Sequence, residues 1–113
     1  MNKITYEERA KVYADAIDTF GANYQLVVAL EEMSEVQKEI CKALRGEIHP
    51  AHLAEEVADA TIMLEQVQQI FLIHNAVGHM MDSKIRRLRG RIERAKQFRV
   101  HTESISGKWR EQE

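Results

Sequence analysis

The chain has few residues that interrupt secondary structure, with one proline and five glycines in 113 residues. An all-β fold needs frequent tight turns, and those turns draw on Gly and Pro, so the scarcity excludes a sandwich or barrel. Aromatic residues make up only 6% of the chain, which argues against a stacking platform for single-stranded nucleic acid. The single cysteine, Cys41, cannot close an internal disulfide and has no second soft ligand nearby. It reads as helix packing in a reducing compartment. No apolar run approaches the roughly 20 residues that cross a bilayer, and the opening MNKITYEERAK lacks the apolar stretch of a signal peptide. A cytoplasmic protein without a membrane partner is expected. A 44% hydrophobic share, a 30% charged share and a net charge of −2 fit a water-soluble globular chain rather than a disordered one.

What remains is rich in Ala, Leu, Glu, Lys, Arg, Gln and Met, the strong helix formers. Thr5 followed by Glu8 has the spacing of a capping box, and Tyr6 to Phe20 then runs unbroken to Gly21. Asn23 is placed to cap a second helix whose stripe is Leu26, Leu30, Met33, Gln37, Ile40 and Leu44, ending in Lys42, Arg45 and a C′ glycine at Gly46. Pro50 suits the first turn of a third helix, with Leu53, Val57, Ala60, Leu64, Val67 and Phe71 as its inward stripe. A break is expected around His74, Asn75 and Gly78, followed by a fourth amphipathic segment through Met81, Ile85, Leu88 and Ile92 to about Phe98. The expected architecture is all-α, an antiparallel helical bundle of about four helices in a single domain over residues 1–101, with a flexible tail over 102–113. Ile62, Met63, Ile70, Leu72 and Ile73 add apolar positions outside the third stripe, so the bundle is expected to be completed by oligomerisation, as a homodimer or homotetramer.

The feature that carries chemistry is an echo between the phrases LEEMSEV in the second helix and AEEVADA in the third. Residues three apart on a helix are neighbours, about 4.5 Å apart along the axis. Glu32 with Glu35, and Glu56 with Asp59, therefore form two carboxylate pairs, which converge if the helices pack antiparallel. Carboxylates gathered in this way repel one another unless protons or a cation compensate. Magnesium prefers hard oxygen ligands and leaves positions open for phosphates, so it fits such a cluster. The bland alternative, two solvated acidic faces, would suffice for one isolated pair but is a poor account of a matched double pair. Glu39, one turn beyond Glu35, is a weaker candidate for the same site, and the reading as an ordinary exposed glutamate is preferred.

These motifs resemble those of the MazG-like all-α nucleoside triphosphate pyrophosphohydrolases, relatives of the dimeric dUTPases. The resemblance rests on Glu32-Met33-Ser34-Glu35, a spacer, and Glu56-Val57-Ala58-Asp59. It extends to Gln25, Glu31, Glu55 and a basic residue around Lys84, and so covers roughly Tyr24 to Arg94. It implies magnesium on Glu32, Glu35, Glu56 and Asp59, with Glu32 or Glu35 also orienting the attacking water. The implied reaction is hydrolysis of a nucleoside triphosphate to a monophosphate and pyrophosphate. It also places substrate contacts near Tyr24 and Gln25, either of which could meet a base or lie in the core, whereas Phe20 reads as core.

The segment Lys84 to Arg99 is strongly basic. Lys84 and Arg87 could neutralise a triphosphate, or they could belong to a solvated basic face. No histidine lies three residues after a glutamate, so the Glu-x-x-His spacing of ferritin-like di-iron bundles is absent. The rival reading is a non-catalytic helical interaction protein that docks a partner or nucleic acid through its acidic and basic faces, although the slightly negative net charge disfavours nucleic acid.

Overall fold

A computed structural model describes residues 2–98. Among these residues the fold is all-α, with helices α1 (Tyr6–Phe20), α2 (Ala22–Leu44), α3 (Pro50–Ile70) and α4 (His74–Gln97) and no strand. The chain divides into two compact units, Met1–His74 and Asn75–Glu113. The tail expected at 102–113 lies outside the described residues.

Local chemistry accounts for most of the helix ends. The backbone N–H of Glu8 donates to Thr5 Oγ1 at 3.1 Å, which caps α1 and satisfies a donor that the first turn leaves unpaired. A single residue, Gly21, joins α1 to α2. Its φ of 92° is open to glycine at little cost, and its carbonyl accepts from Gln25 N at 3.1 Å. Asn23 is therefore not the cap of α2, as its sequence context suggested: the cap is Gly21, two residues earlier, and it makes no side-chain capping bond. Pro50 occupies the first turn of α3.

Helices α2 and α3 end in the same way. Glu47 N donates to Lys42 O and Gly46 N to Ala43 O, both at 2.9 Å, around Gly46 at φ 88°. At the end of α3, Ile73 N donates to Gln68 O at 2.9 Å and Leu72 N to Gln69 O at 3.2 Å, around Leu72 at φ 56°. Both are Schellman closures, but the second uses a leucine where glycine is customary. The break between the third and fourth helices thus falls at 71–73 rather than around Asn75 and Gly78, which lie inside α4. The sequence carries no glycine to mark it.

Within the first unit α2 and α3 run antiparallel. Gln25 pairs with Gln66, Glu32 meets Asp59, and Glu39 meets His52, so partners descend α3 as they ascend α2. The seam on α2 follows Gln25, Ala29, Glu32, Val36, Glu39 and Ala43, and that on α3 follows Leu53, Glu56, Ala60, Met63, Val67 and Ile70. These alternating steps of three and four are the interlocking spacing of antiparallel bundles. The α2 stripe is rotated from the one read in the sequence, with Leu30, Ile40 and Leu44 exposed; the α3 stripe keeps Leu53, Ala60 and Val67 as expected, but Val57, Leu64 and Phe71 are exposed and Met63 is buried. Small Ala29, Ala43 and Ala60 let the helices approach, so long polar side chains fill the seam between them.

Helix α1 is tied across α3 by polar contacts. Arg9 donates to both oxygens of Glu65 through Nε at 3.1 Å and Nη2 at 3.0 Å, and the Tyr13 hydroxyl donates to the same carboxylate at 2.7 Å. Gln69 Nε2 donates to the Ala10 carbonyl at 3.1 Å. Tyr6 stacks on His74 with ring centroids 4.7 Å apart, which pins the start of α1 beside the end of α3. Two further sequence readings are corrected here. Phe20 is 60% exposed beside Tyr24 rather than in the core, and Cys41 is exposed rather than packed, because it lies on the outward side of the rotated α2.

In the second unit, α4 has no buried residue. Met81, Ile85, Leu88 and Ile92 follow one another at four- and three-residue steps and are all exposed, so they form one apolar stripe. Lys84, Arg86, Arg87, Arg89, Arg91, Arg94 and Lys96 are exposed along the same helix.

Candidate metal centre

Midway along the α2–α3 seam, each of Glu32, Glu56 and Asp59 offers a carboxylate oxygen, and these three atoms lie within 4.8 Å of one another. The sites are half-buried. Each acid comes from the inward side of its helix: Glu32 takes a seam position of α2, and Glu56 and Asp59, three residues apart, flank the facing position on α3. Ala60, buried beside them, has no bulk to keep the helices apart. The antiparallel pairing thus brings together residues 24 or more positions apart in the chain.

The electrostatics show the cost of this arrangement. Burial, then Asp59, Glu56, Glu35 and Glu31, push the Glu32 carboxyl above its ordinary value. Hard carboxylate oxygens at this spacing suit a hard divalent cation, which would offset the mutual repulsion. The three acids could hold a metal ion. Glu35 lies outside this group of three, yet its charge reaches Glu32 and adds to the repulsion there.

The other sequence candidates are placed less alike. Tyr24 is 60% exposed and tilted against Phe20 with centroids 6.2 Å apart, so its ring is open to a ligand. Gln25 is withdrawn from solvent: its Nε2 donates to Gln66 Oε1 at 2.7 Å, with both residues buried. In this arrangement it ties α2 to α3. Lys84 and Arg87 are exposed on α4, in the second unit.

Sequence reasoning missed a second polar cluster next to the acids. Glu39, read as an ordinary surface glutamate, is 3% exposed and lies in the seam. Its Oε1 is 2.9 Å from His52 Nδ1 and 3.4 Å from Lys42 Nζ. Burial pushes its carboxyl up, but His52 and Lys42 together outweigh that and leave it below the ordinary range. His52 in turn brings Nε2 to 3.3 Å from Glu56 Oε1. The signal was available in principle, since Glu39 stands seven residues from Glu32, on the same face of α2. No family model, curated protein or solved structure matches the chain.

Proposed function

We propose that the chain is a magnesium-dependent nucleotide pyrophosphohydrolase that cleaves a ribo- or deoxyribonucleoside triphosphate to the monophosphate and pyrophosphate. The observation that carries this reading is the convergence of Glu32, Glu56 and Asp59 across the α2–α3 seam. These are three of the four acids on which the resemblance to the MazG-like enzymes rests. Bound there, magnesium would draw charge from the phosphates and lower the pKa of a coordinated water. Glu56 and Asp59 supply ligands from α3, and Glu32 supplies one from α2. Glu35, one turn along and close enough to raise the Glu32 carboxyl, completes the acidic face, and Glu32 or Glu35 orients the attacking water. Tyr24, exposed near the start of α2, offers a ring for the base to stack on.

A homo-oligomer belongs to the same reading. Among the described residues the buried hydrophobic set is Tyr13, Met63 and three alanines, a small core for a chain of this length. Val27, Leu30, Leu44 and Leu64 stay exposed on α2 and α3, and Ile4, Val12 and Ile62 line an apolar recess beside Arg9 and Tyr13. A second copy of the chain would cover these surfaces.

The deciding experiment is product analysis over a panel of nucleoside triphosphates, with magnesium and then with a chelator. Pyrophosphate and monophosphate, formed only with magnesium, are expected. A diphosphate as first product would place the cleavage elsewhere. The exposed apolar and basic α4 favours one rival, a non-catalytic protein that docks a partner through that helix, and absence of turnover on every triphosphate would favour it.

A further inference from the structure

The apolar residues left outside the α2–α3 seam follow a rule of register. On α2 each of Leu26, Leu30, Met33, Gln37, Ile40 and Leu44 directly follows a seam residue. Val57, Thr61, Leu64, Gln68 and Phe71 do the same along α3 to its C-cap. One residue is about 100° of helix rotation. Because the two helices run antiparallel, that rotation carries both stripes to the same side of the pair. None of these positions is charged, although 30% of the chain is. The residues that directly precede the seam lie on the other side and include Glu31, Glu35, Glu55 and Asp59. The helix pair therefore has a chargeless side and an acidic side. The chargeless side is open, with Leu30, Ile40, Leu44, Val57, Leu64 and Phe71 all between 43% and 65% exposed. Thr61 Oγ1 already donates to the Val57 carbonyl at 2.7 Å, so covering it orphans no donor.

We propose that the chargeless side of the α2–α3 pair binds the same side of a second copy about a two-fold axis, so that the two pairs form a four-helix bundle and both acidic sides stay open to solvent. Three observations select that occupant. The buried apolar set, Tyr13, Met63 and three alanines, leaves one copy short of core, and only another copy is present wherever the chain is. An uncharged side meets its own image without bringing like charges together, which the acidic side cannot do. Its size also fits. The face is about 27 Å long from Leu26 to Leu44 and about 20 Å wide across two helices. That footprint, on the order of 500 Å², is enlarged by side-chain relief toward the roughly 800 Å² that each partner of a stable complex buries. Steps of three and four along both stripes repeat the spacing that interlocks α2 with α3. The proposal rests on the reading of the chain as a homo-oligomer, and it assigns the contact to this side rather than to the recess of Ile4, Val12 and Ile62 beside α1.

The test is sedimentation velocity on the full-length chain, with Ile40→Glu and Leu64→Glu on this side, Val12→Glu on the recess and Ile85→Glu on α4. Wild type, Val12→Glu and Ile85→Glu are expected to share one mass, a multiple of the chain's that does not grow with concentration, because a face that pairs with itself closes. Ile40→Glu and Leu64→Glu should each sediment at half that mass or less, since either would bury an unpaired charge in the contact. A second measurement leaves the apolar side chains intact. In Gln37→Cys combined with Cys41→Ser, the one thiol sits at the middle of the α2 stripe, at a position exposed in a single copy. Its reaction with a maleimide should quicken in step with dissociation on dilution. Full mass in both Glu variants of this side, or a thiol rate that ignores dissociation, would overturn the proposal. Loss of association in Ile85→Glu would overturn the pairing of like faces, because α4 would then be the cover. Loss in Val12→Glu alone would move the contact to the recess and overturn it as well. A wild type that is monomeric at every concentration would instead overturn the homo-oligomer and leave the acidic site to its own assays.

Discussion

Removing one charge from the acidic group should stabilise the metal-free protein, and the size of the effect follows from the geometry. The oxygens of Glu32, Glu56 and Asp59 lie no more than 4.8 Å apart. At that distance two unit charges repel by about 1 kcal/mol in bulk water and by about 3 kcal/mol at an effective dielectric of about 20. The three acids are half-buried and reached by solvent, so the lower figure is the appropriate one. Asp59→Asn removes two of the three repulsive pairs while keeping the shape of the side chain, and leaves the His52 contact of Glu56 untouched. A gain of about 2 kcal/mol is expected at neutral pH and low salt, or a rise in Tm of about 8 °C for a chain of this size. High salt should shrink the gain, because exposed charges are screened over roughly 10 Å at moderate ionic strength. The pH dependence has a definite sign. Glu32 is raised in the folded state, so its charge destabilises the protein above that raised value and ceases to do so as pH falls through it. The advantage of Asp59→Asn should fade over the same window. With magnesium the order should reverse: a cation at about a hundred times its dissociation constant adds about 2.7 kcal/mol to the wild type, and Asp59→Asn should lose most of that. The assay is thermal melting by circular dichroism across a magnesium titration, with Asp15→Asn, an exposed acid of α1, as the control. If Asp59→Asn melts at or below wild type in chelator at low salt, or keeps the full magnesium-dependent rise, the repulsion argument is wrong.

Three further outcomes follow from contacts elsewhere in the first unit. Gln25→Leu and Gln66→Leu should each cost about 1–3 kcal/mol by leaving a buried amide unpaired, yet the double variant should cost clearly less than their sum. Additive losses in urea unfolding would show that the 2.7 Å bond contributes nothing. Burial, then Glu65, hold the Tyr13 hydroxyl up at about 12 against an ordinary 10.0. The folded state therefore keeps a proton that the unfolded chain gives up, and stability on the order of 2 kcal/mol should be lost as pH rises through that window; Tyr13→Phe should flatten this alkaline slope in melting against pH. Leu30→Glu and Leu64→Glu, both on exposed positions, should shift sedimentation equilibrium toward monomer, whereas a wild type that is monomeric at every concentration would exclude the oligomer.

The helices and most of their ends were legible in the sequence, because the signals are local. Thr5 bonds the backbone three residues on, Gly46 takes a conformation that it alone reaches cheaply, and Pro50 starts α3 where its missing donor is harmless. The pairing of Glu56 with Asp59 followed from helical pitch alone. The rotation of each helix about its own axis was not legible. Helices α2 and α3 carry apolar residues on more than one side, so several faces could have turned inward, and the sequence reading chose the one with the largest side chains. On α2 the tertiary structure chose the face with Ala29 and Ala43 instead, which leaves Leu30 and Leu44 outside; on α3 it kept the expected Leu53, Ala60 and Val67 inward but turned Met63 in and Val57, Leu64 and Phe71 out. That rotation buried Glu39, locked Gln25 to Gln66, and set Glu32 opposite Glu56 and Asp59 while Glu35 stayed outside the three. The closure at Leu72 was equally hidden, because it uses a residue without glycine's freedom and is held by carbonyls of Gln68 and Gln69. Local bonding decided where each helix begins and nearly everywhere that it ends, and inter-helix packing, which acts between residues far apart in the chain, decided which side chains meet.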